Sequence, residues 1–416
     1  MGGSHQEFIR RKGSDTMSSL NIALLGFGTV GKGVYHSIDS HQKRLQEIFQ
    51  KEVKIVAILV KNLQKHNIPR KDIILTDNFE EILSIQDLDI VVDAIVGTEP
   101  GFTYLQKSLK RGCSVVTANK EMFSKHGKEL LNLAGQNNVS IGYEATVAGG
   151  IPIIQTIRQL LQVNRIEKVE GILNGTSNFI LTSMRKNKGT FEQNLIQAQK
   201  NGYAEADPTN DIEGFDAYYK GVILSELVYG EKPETTQADC RGISEITSEM
   251  IEEADRLDLK FKHIVTISKS DQQINCTVEL ALVTTEHPFY QVEGVQNAVS
   301  INTDLVGNVT LNGPGAGMFP TASAILEDII QLDRKVAVSP CTRIVEPDYN
   351  TKTKWVLFYQ GKSINLPSDT SLFHSPTSKI VIVETDDVSG IKELNPSINF
   401  FRLKGDYILS KEKVIV

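Results

Sequence analysis

The sequence predicts an α/β protein: a Rossmann-type, doubly wound parallel sheet, a mixed α+β domain for catalysis and dimerisation, and a small β-rich C-terminal module. Three observations predict it. Short, nearly all-apolar runs alternate with helix-like segments from Leu20 to about residue 145, the texture of parallel strands covered on both faces. A glycine-rich turn, "GFGTVG", joins the first apolar run to the first helix. After "GGIP" (149–152) strands and helices mix, and beyond about Ala337 strands dominate.

The elements follow in order. Residues 1–19, "MGGSHQEFIRRKGSDTMSS", are polar and basic and lack the apolar stretch of a signal peptide. They read as a disordered or cloning-derived extension, with the native start near Met17. Residues 20–148 form the dinucleotide-binding domain. Its strands are "LNIALLG", "VKIVAILV" (53–60), "LDIVVDAIVG" (88–97), "CSVVTAN" (113–119) and "VSIGYEA" (139–145), with helices over about 29–50, 101–111 and 121–136. Residues 149–312 form the substrate and dimerisation domain. It has helices over 153–163, 190–200 and about 214–229, a strand in "IEKVEGILNG", and strands near 275–285 and 294–302. In 313–336 a "GPGAG" loop leads to an apolar helix, "TASAILEDIIQL", that returns to the nucleotide domain. Residues 337–416 read as four strands, "KWVLFYQ", "SKIVIVET", "INFFRLKG" and "YILSKEKVIV", with a weak helix around 388–394.

Composition narrows the class. A chain of 416 residues implies two or three domains. A formal charge of −7 argues against a nucleic-acid or anionic-membrane surface. No apolar run approaches the roughly 18–20 residues needed to span a bilayer. Cys113, Cys240, Cys276 and Cys341 include no close pair, which offers neither a zinc site nor a disulfide framework. The reading is soluble and cytoplasmic, with a small-molecule partner.

The nucleotide end is specific. Gly26 permits a tight turn, Gly28 lets backbone approach a pyrophosphate, and Gly31 packs helix against strand. Phe27, Thr29 and Val30 complete the turn, whose N–H groups and helix dipole favour phosphate. NAD sites usually carry an acid at the end of the second strand, where this chain has Lys61. That basic residue suits the 2′-phosphate of NADP, with NAD use left open and a solvated lysine the plain alternative.

The unusual stretch is "NGYAEADPTNDIEGFDAYYKG" (201–221), which crowds Glu205, Asp207, Asp211, Glu213 and Asp216 before Lys220. Asp216 and Lys220 are four apart on a predicted helix and share a face. A simple helix salt bridge explains that pair but not the loop carboxylates ahead of it. A substrate ammonium explains them better. Asp207, before Pro208, reads as a turn or cap residue, and Glu213 as solvated. In "NGTSN" (174–178) the loop between strand and helix offers either ligand contacts or an N-cap by Thr176 or Ser177.

Together these segments resemble homoserine dehydrogenase over roughly residues 20–330. "GFGTVGKG", "VTANKE", "EATVAGGIPI", "GILNGTSNFIL" and "GPGAGMFPTASA" carry the resemblance. Ala198, Gly202, Tyr203, Asp207, Pro208, Asp211, Gly214, Asp216 and Lys220 fit the family signature at its fixed spacing. The resemblance implies NAD(P)-dependent hydride transfer between L-homoserine and L-aspartate 4-semialdehyde, in threonine, methionine and isoleucine biosynthesis. It implies Lys220 as the proton-transfer residue and Lys120 as its partner near the nicotinamide, each depressing the other's pKa if both face one substrate oxygen. It places Gly97, Thr98, Lys120 and Gly315 at the cofactor. Glu205 and Asp216 would hold the substrate ammonium, with Asp211, Asn174, Gly175, Thr176 and Tyr203 around the substrate. Glu144 and the carbonyls of Val147, Gly149 and Ile151 would bind a monovalent cation such as sodium, a glycine hinge being the alternative. A homodimer through the second domain, or a homotetramer, is implied.

Two rivals stand beside this reading. A cysteine-dependent semialdehyde dehydrogenase needs a nucleophilic thiol, but Cys113 in "RGCSVVTAN" reads as buried and structural. An NADP-binding regulatory protein would bind cofactor without turnover and would not need both lysines with the acidic loop. Family members often append an ACT domain. Residues 337–416 lack a clear first helix for one, so a degenerate ACT-like relative and an oligomerisation piece both stay open.

Overall fold

The computed structural model describes residues 18–333 and 353–406, apart from 67, 69, 271–272, 360–363, 368–369, 378–379, 387 and 397. The N-terminal extension to residue 17 and the fourth tail strand expected at 407–416 lie outside the described residues.

Six parallel strands build the first sheet: β1 (Ser19–Leu25), β2 (Glu52–Leu59), β3 (Ile74–Thr76), β4 (Ile90–Asp93), β5 (Ser114–Thr117) and β6 (Ile141–Gly142). Their order is β3-β2-β1-β4-β5-β6. The order reverses between β1 and β4, which opens a crevice beyond the carboxyl ends of the strands. Helices α1 (Thr29–Ser40), α2 (Gln42–Phe49), α3 (Phe79–Leu83), α4 (Gly101–Arg111) and α5 (Lys120–Gln136) connect them. The helix expected over 29–50 breaks at His41, whose backbone leaves the helical region while Ser40 Oγ bonds back to the His36 carbonyl at 2.8 Å. β3 and α3 are too short to announce themselves by periodicity.

The second sheet is mixed. The chain enters it through α6 (Ile153–Gln155), which runs into a π-helical turn over Thr156–Leu160 where a regular helix to 163 is expected. Then follow β7 (Ile166–Ile172), α7 (Gly175–Asn187), α8 (Phe191–Lys200), α9 (Thr209–Ile212), α10 (Phe215–Tyr229) and α11 (Ser248–Arg256). Strands β8 (Lys260–Ser270), β9 (Gln273–Val283), β10 (Gln296–Thr303) and β11 (Gly307–Pro314) complete this part. β8 is absent from the sequence reading because "KFKHIVTISKS" looks polar. Lys260, Lys262 and His263 are nonetheless buried, with partners far along the chain. Lys262 Nζ donates to the Val292 carbonyl, and His263 Nε2 sits 2.9 Å from the Arg241 carbonyl. Desolvation pushes Lys262 down to about 7 and His263 down to about 4.

Helix α12 (Met318–Asp333) returns to the first sheet, where Ala322, Ile325 and Ile329 share a core with Leu24, Val34 and Ile38. Gly33 makes the approach possible: a Cβ there would lie 2.5 Å from the Met318 carbonyl oxygen. The tail supplies β12 (Lys354–Phe358), β13 (Ser371–Thr377), β14 (Ile380–Glu384), α13 (Val388–Leu394) and β15 (Asn399–Lys404). β15 and β14 flank β12, and β13 lies beyond β14, all antiparallel. This is not an isolated module. β15 pairs in parallel with β9 through Leu403 and Lys404, so the tail continues the second sheet as β11-β10-β7-β8-β9-β15-β12-β14-β13. Val356, Phe358 and Ile382 share a core with Ile180 and Leu181 of α7.

Candidate active site

The glycine turn is shaped for an anion. Gly26 has φ +98°, and a Cβ at Gly31 would lie 2.1 Å from the Gly26 carbonyl oxygen, so helix and turn touch only through glycine. A Cβ at Gly28 would meet nothing, and Gly28 and Thr29 are exposed. Helix α1 starts with no side-chain cap and no acid in its first turn. Its N–H donors are therefore left to a ligand, which fits a pyrophosphate. Lys61 is exposed just beyond β2.

Across the crevice, Asn119 caps α5 by accepting from the Met122 N–H at 3.1 Å and donates to the Gly97 carbonyl at 2.7 Å. It thereby ties Gly97, at φ +88°, to the helix whose first residue is Lys120. Thr98 donates to Glu121 at 3.3 Å and accepts from Lys125 at 3.1 Å.

The acidic loop folds onto both lysines. Lys220 Nζ lies 2.6 Å from Asp216 Oδ2 and donates to the Leu173 carbonyl at 2.7 Å, while Lys120 Nζ is 3.4 Å from Asp216 Oδ1. The Lys120 side chain is 45% exposed and that of Lys220 only 12%, so Lys120 is the more open of the two to the crevice. Because the Asp216 carboxylate stands between the two lysines, the depression expected for Lys120 is not present in this state. The charge of Asp216 instead holds Lys120 above the ordinary lysine range, outweighing desolvation. Burial would raise Asp216, but the Lys220 and Lys120 ammoniums outweigh it and hold the carboxyl well below the usual range.

Asn174 lies two residues past β7 in extended geometry and caps α7, its Oδ1 accepting from the Ser177 N–H at 2.8 Å. The cap is thus Asn174 and neither Thr176 nor Ser177. The Asn174 amide donates to Asp211 at 2.7 Å and Asp216 at 2.9 Å, so it organises the acids. Burial and the Asp216 charge raise Asp211. Thr176 Oγ1 donates to the Tyr203 carbonyl at 2.6 Å, and the half-exposed Tyr203 ring meets Phe179 edge-on. Glu205 is exposed but close enough to add to the electrostatic hold on Lys120. Asp207 accepts from the Thr209 N–H and hydroxyl, and Glu213 accepts from Ser244 at 3.4 Å, away from the lysines.

The loop after β6 is tightly wound, with Ala148 at φ +56° and Gly149 at φ +54°. A Cβ at Gly149 would lie 2.4 Å from the Gly315 carbonyl oxygen, which brings 147–151 and 313–317 together. Both Glu144 oxygens accept helix N–H groups, of Ile154 and Gln155, at 2.8 Å. Burial pushes Glu144 up to about 7 despite them. Among the described residues no group of three or more His, Cys, Asp or Glu is placed to hold a metal ion.

Two residues here escape sequence reasoning. Asn297 of β10 lies flat against Gly315, with neither end of its fully buried amide finding a protein partner. Asp93 closes β4, fully buried behind Thr117. The only available signal was an acid ending the apolar run "DIVVD". Cys113 is buried beside Arg111 and Leu88, and desolvation raises its thiol, as befits a structural cysteine.

Two family models match, "Homoserine dehydrogenase, NAD binding domain" over residues 26–144 and "Homoserine dehydrogenase" over 152–330. A homoserine dehydrogenase of Lactococcus lactis is 39% identical over 322 residues, 76% of this chain and 75% of that protein. The chain belongs to the homoserine dehydrogenase family. It is an oxidoreductase that interconverts L-homoserine and L-aspartate 4-semialdehyde with a nicotinamide dinucleotide. A homoserine dehydrogenase crystal structure from Thiobacillus denitrificans superposes with a TM-score of 0.82 at 30% identity, covering 93% of this chain and 99% of that one. Homoserine dehydrogenases similar to this chain include one that depends on NAD(+) and one solved with NADPH bound. An NAD(+)-dependent one from Pseudomonas canavaninivorans is 35% identical over 76% of this chain and 97% of its own length. A hyperthermophilic archaeal one in complex with NADPH is 30% identical, with a TM-score of 0.66, over 77% of this chain and 99% of that one. Among the described residues no helix is long and apolar enough to cross a membrane.

Proposed function

We propose that the Asp216 carboxylate, held between Lys120 and Lys220, is the switch of the homoserine dehydrogenase reaction in this chain. The substrate ammonium binds at Asp216 and Glu205 and draws their charge away from the lysines. Lys220 and Lys120 then face each other across the substrate oxygen, and their pKa values fall by like-charge repulsion. Lys220, fixed by the Leu173 carbonyl, takes the hydroxyl proton, and Lys120 holds the oxygen from the α5 side. Asp211 and Asn174 keep Asp216 in place, while Gly175, Thr176 and Tyr203 close around the substrate. The nicotinamide, when bound, accepts or returns the hydride.

The pyrophosphate would lie on Phe27–Gly31, with Gly97, Thr98, Lys120 and Gly315 lining the rest of the cofactor site. Lys61 favours NADP over NAD. A monovalent cation such as sodium would sit on the carbonyls of Val147, Gly149 and Ile151, with Glu144 lending charge behind them. The chain divides into functional units at 20–148, 149–312, 313–336 and 337–416, the last a degenerate ACT-like unit. The enzyme is cytoplasmic and a homodimer through the second domain, for which exposed Val163, Leu305 and Val306 at one end of that sheet offer apolar surface.

The single carrying observation is the carboxylate shared by two lysines at the crevice. Purified protein reduces NADP on addition of L-homoserine, and NAD less efficiently. Lys61→Ala raises KM for NADP while leaving that for NAD unchanged. NAD preferred over NADP, or an indifferent Lys61→Ala, overturns the cofactor assignment.

A further inference from the structure

Asp93 is a buried carboxyl that the proposed chemistry does not use. It ends β4 at the crevice, where β1 and β5 flank it. Its Oδ1 accepts from the Ile95 N–H at 3.0 Å and its Oδ2 from the Thr117 hydroxyl at 2.9 Å. Thr117 Oγ1 in turn accepts from the Asn119 N–H at 3.0 Å. Asn119 then caps α5, beginning at Lys120, and holds the Gly97 carbonyl. Gly101 of α4 leaves the space for this relay: a Cβ there would lie 3.3 Å from the Asn119 amide and 3.6 Å from Asp93 Oδ2. Every link is a directed hydrogen bond, and the whole chain depends on the carboxylate being an acceptor at both oxygens.

We infer that Asp93 is a positioning residue for hydride transfer, setting Lys120 and the Gly97–Thr98 loop through Thr117 and Asn119. The inference rests on the role proposed for Lys120. Protonating Asp93 would place a donor opposite the Thr117 hydroxyl. Thr117 Oγ1 must then accept from Asp93 as well as from the Asn119 N–H, and its own hydroxyl proton loses the Asp93 acceptor and has to turn elsewhere. The helix cap and the Gly97 tether would loosen together. Burial alone raises Asp93 to about 6, opposed only by the Ile95 N–H and the Thr117 hydroxyl. Neither β1, β5 nor α4 turns a charged group toward it that contributes to this shift.

The test uses Asp93→Asn, Thr117→Val and Thr117→Ser in the full chain, with kcat/KM for L-homoserine measured from pH 5 to 9. The wild-type profile falls on an acid limb near pH 6. Asp93→Asn loses that limb and lowers the plateau about 10- to 100-fold, in kcat more than in KM, as small misplacements of a reacting group do. Thr117→Val falls similarly, and Thr117→Ser, which keeps the hydroxyl, stays within about twofold of wild type. If Asp93→Asn does not fold, the Val and Ser pair carries the test. An unchanged limb and plateau in Asp93→Asn, or Thr117→Val and Thr117→Ser behaving alike, overturns the inference. Lys120→Ala separates the two readings. If it is dead while Asp93→Asn is normal, only the positioning role fails; if Lys120→Ala is fully active, the role given to Lys120 fails first.

Discussion

Two regions of this enzyme look alike chemically and differ in use. Around Asp216, one buried carboxylate meets Lys220 and Lys120. On the second sheet, buried Glu170 meets Lys404 at 2.7 Å and Lys168 at 3.2 Å, with His287 4.0 Å away. Both carboxyls lie far below their ordinary range. Burial would raise Glu170, and the Lys404 and Lys168 charges overcome it and hold it at about 2. Access does not separate them, since one lysine of each pair is open, Lys120 at 45% and Lys168 at 43%. The difference is place: Lys120 starts α5 just past the carboxyl end of β5, beside the crevice, whereas Lys404 reaches Glu170 from β15 on the second sheet. A perturbed carboxylate flanked by cations therefore does not by itself mark a catalytic site.

Three substitutions test this contrast, in descending size. Lys220→Ala lowers kcat for L-homoserine by about 100- to 10,000-fold, the range for a lost proton-transfer group, while NADPH affinity by fluorescence titration stays nearly unchanged. Near-normal turnover would remove Lys220 from the chemistry. Lys404→Met leaves turnover intact but lowers unfolding free energy in urea by about 3 kcal/mol, because Glu170 keeps its burial and loses its nearest cation. The pH dependence follows in sign. A depressed carboxyl contributes stability above its unfolded pKa and loses it as pH falls through the folded value, here between about 4.5 and about 2. Removing Lys404 raises the folded value, so acid unfolding begins at higher pH than in wild type. Loss of activity without loss of stability in Lys404→Met would erase the distinction between the regions. The smallest effect belongs to Glu213→Gln, which stays within about 0.5 kcal/mol of wild type and keeps its kcat. A large loss there would extend the working carboxylates to the whole run.

Much of the first domain was legible from local pattern. "GFGTVG" between an apolar run and a helix gave the cofactor turn, and the order of runs gave the parallel sheet. α4 matches the predicted 101–111 residue for residue, and α5 begins one residue ahead of its prediction, at Lys120 itself. The second domain was less legible where burial contradicts composition. β8 carries Lys260, Lys262 and His263 inside the fold, and only distant partners make that tolerable. Of the two readings open for "NGTSN", the N-cap by Thr176 or Ser177 places the helix start too late: Asn174, still in extended geometry, makes the cap. The tail looked separate since nothing in residues 399–404 reveals a parallel partner at 282–283.

The chemistry of the site follows the same division. Sequence alone determined which residue types gather, since glycine turns, helix spacing and the signature around Lys220 act over a few positions of chain. Only the tertiary structure decided their charge states and contacts. Asp216 comes between lysines 96 residues and four residues away, the first of them delivered by another sheet. Desolvation and long-range pairing decide whether a carboxylate bridges two lysines or orders a chain of hydrogen bonds, and neither can be counted until the chain has folded.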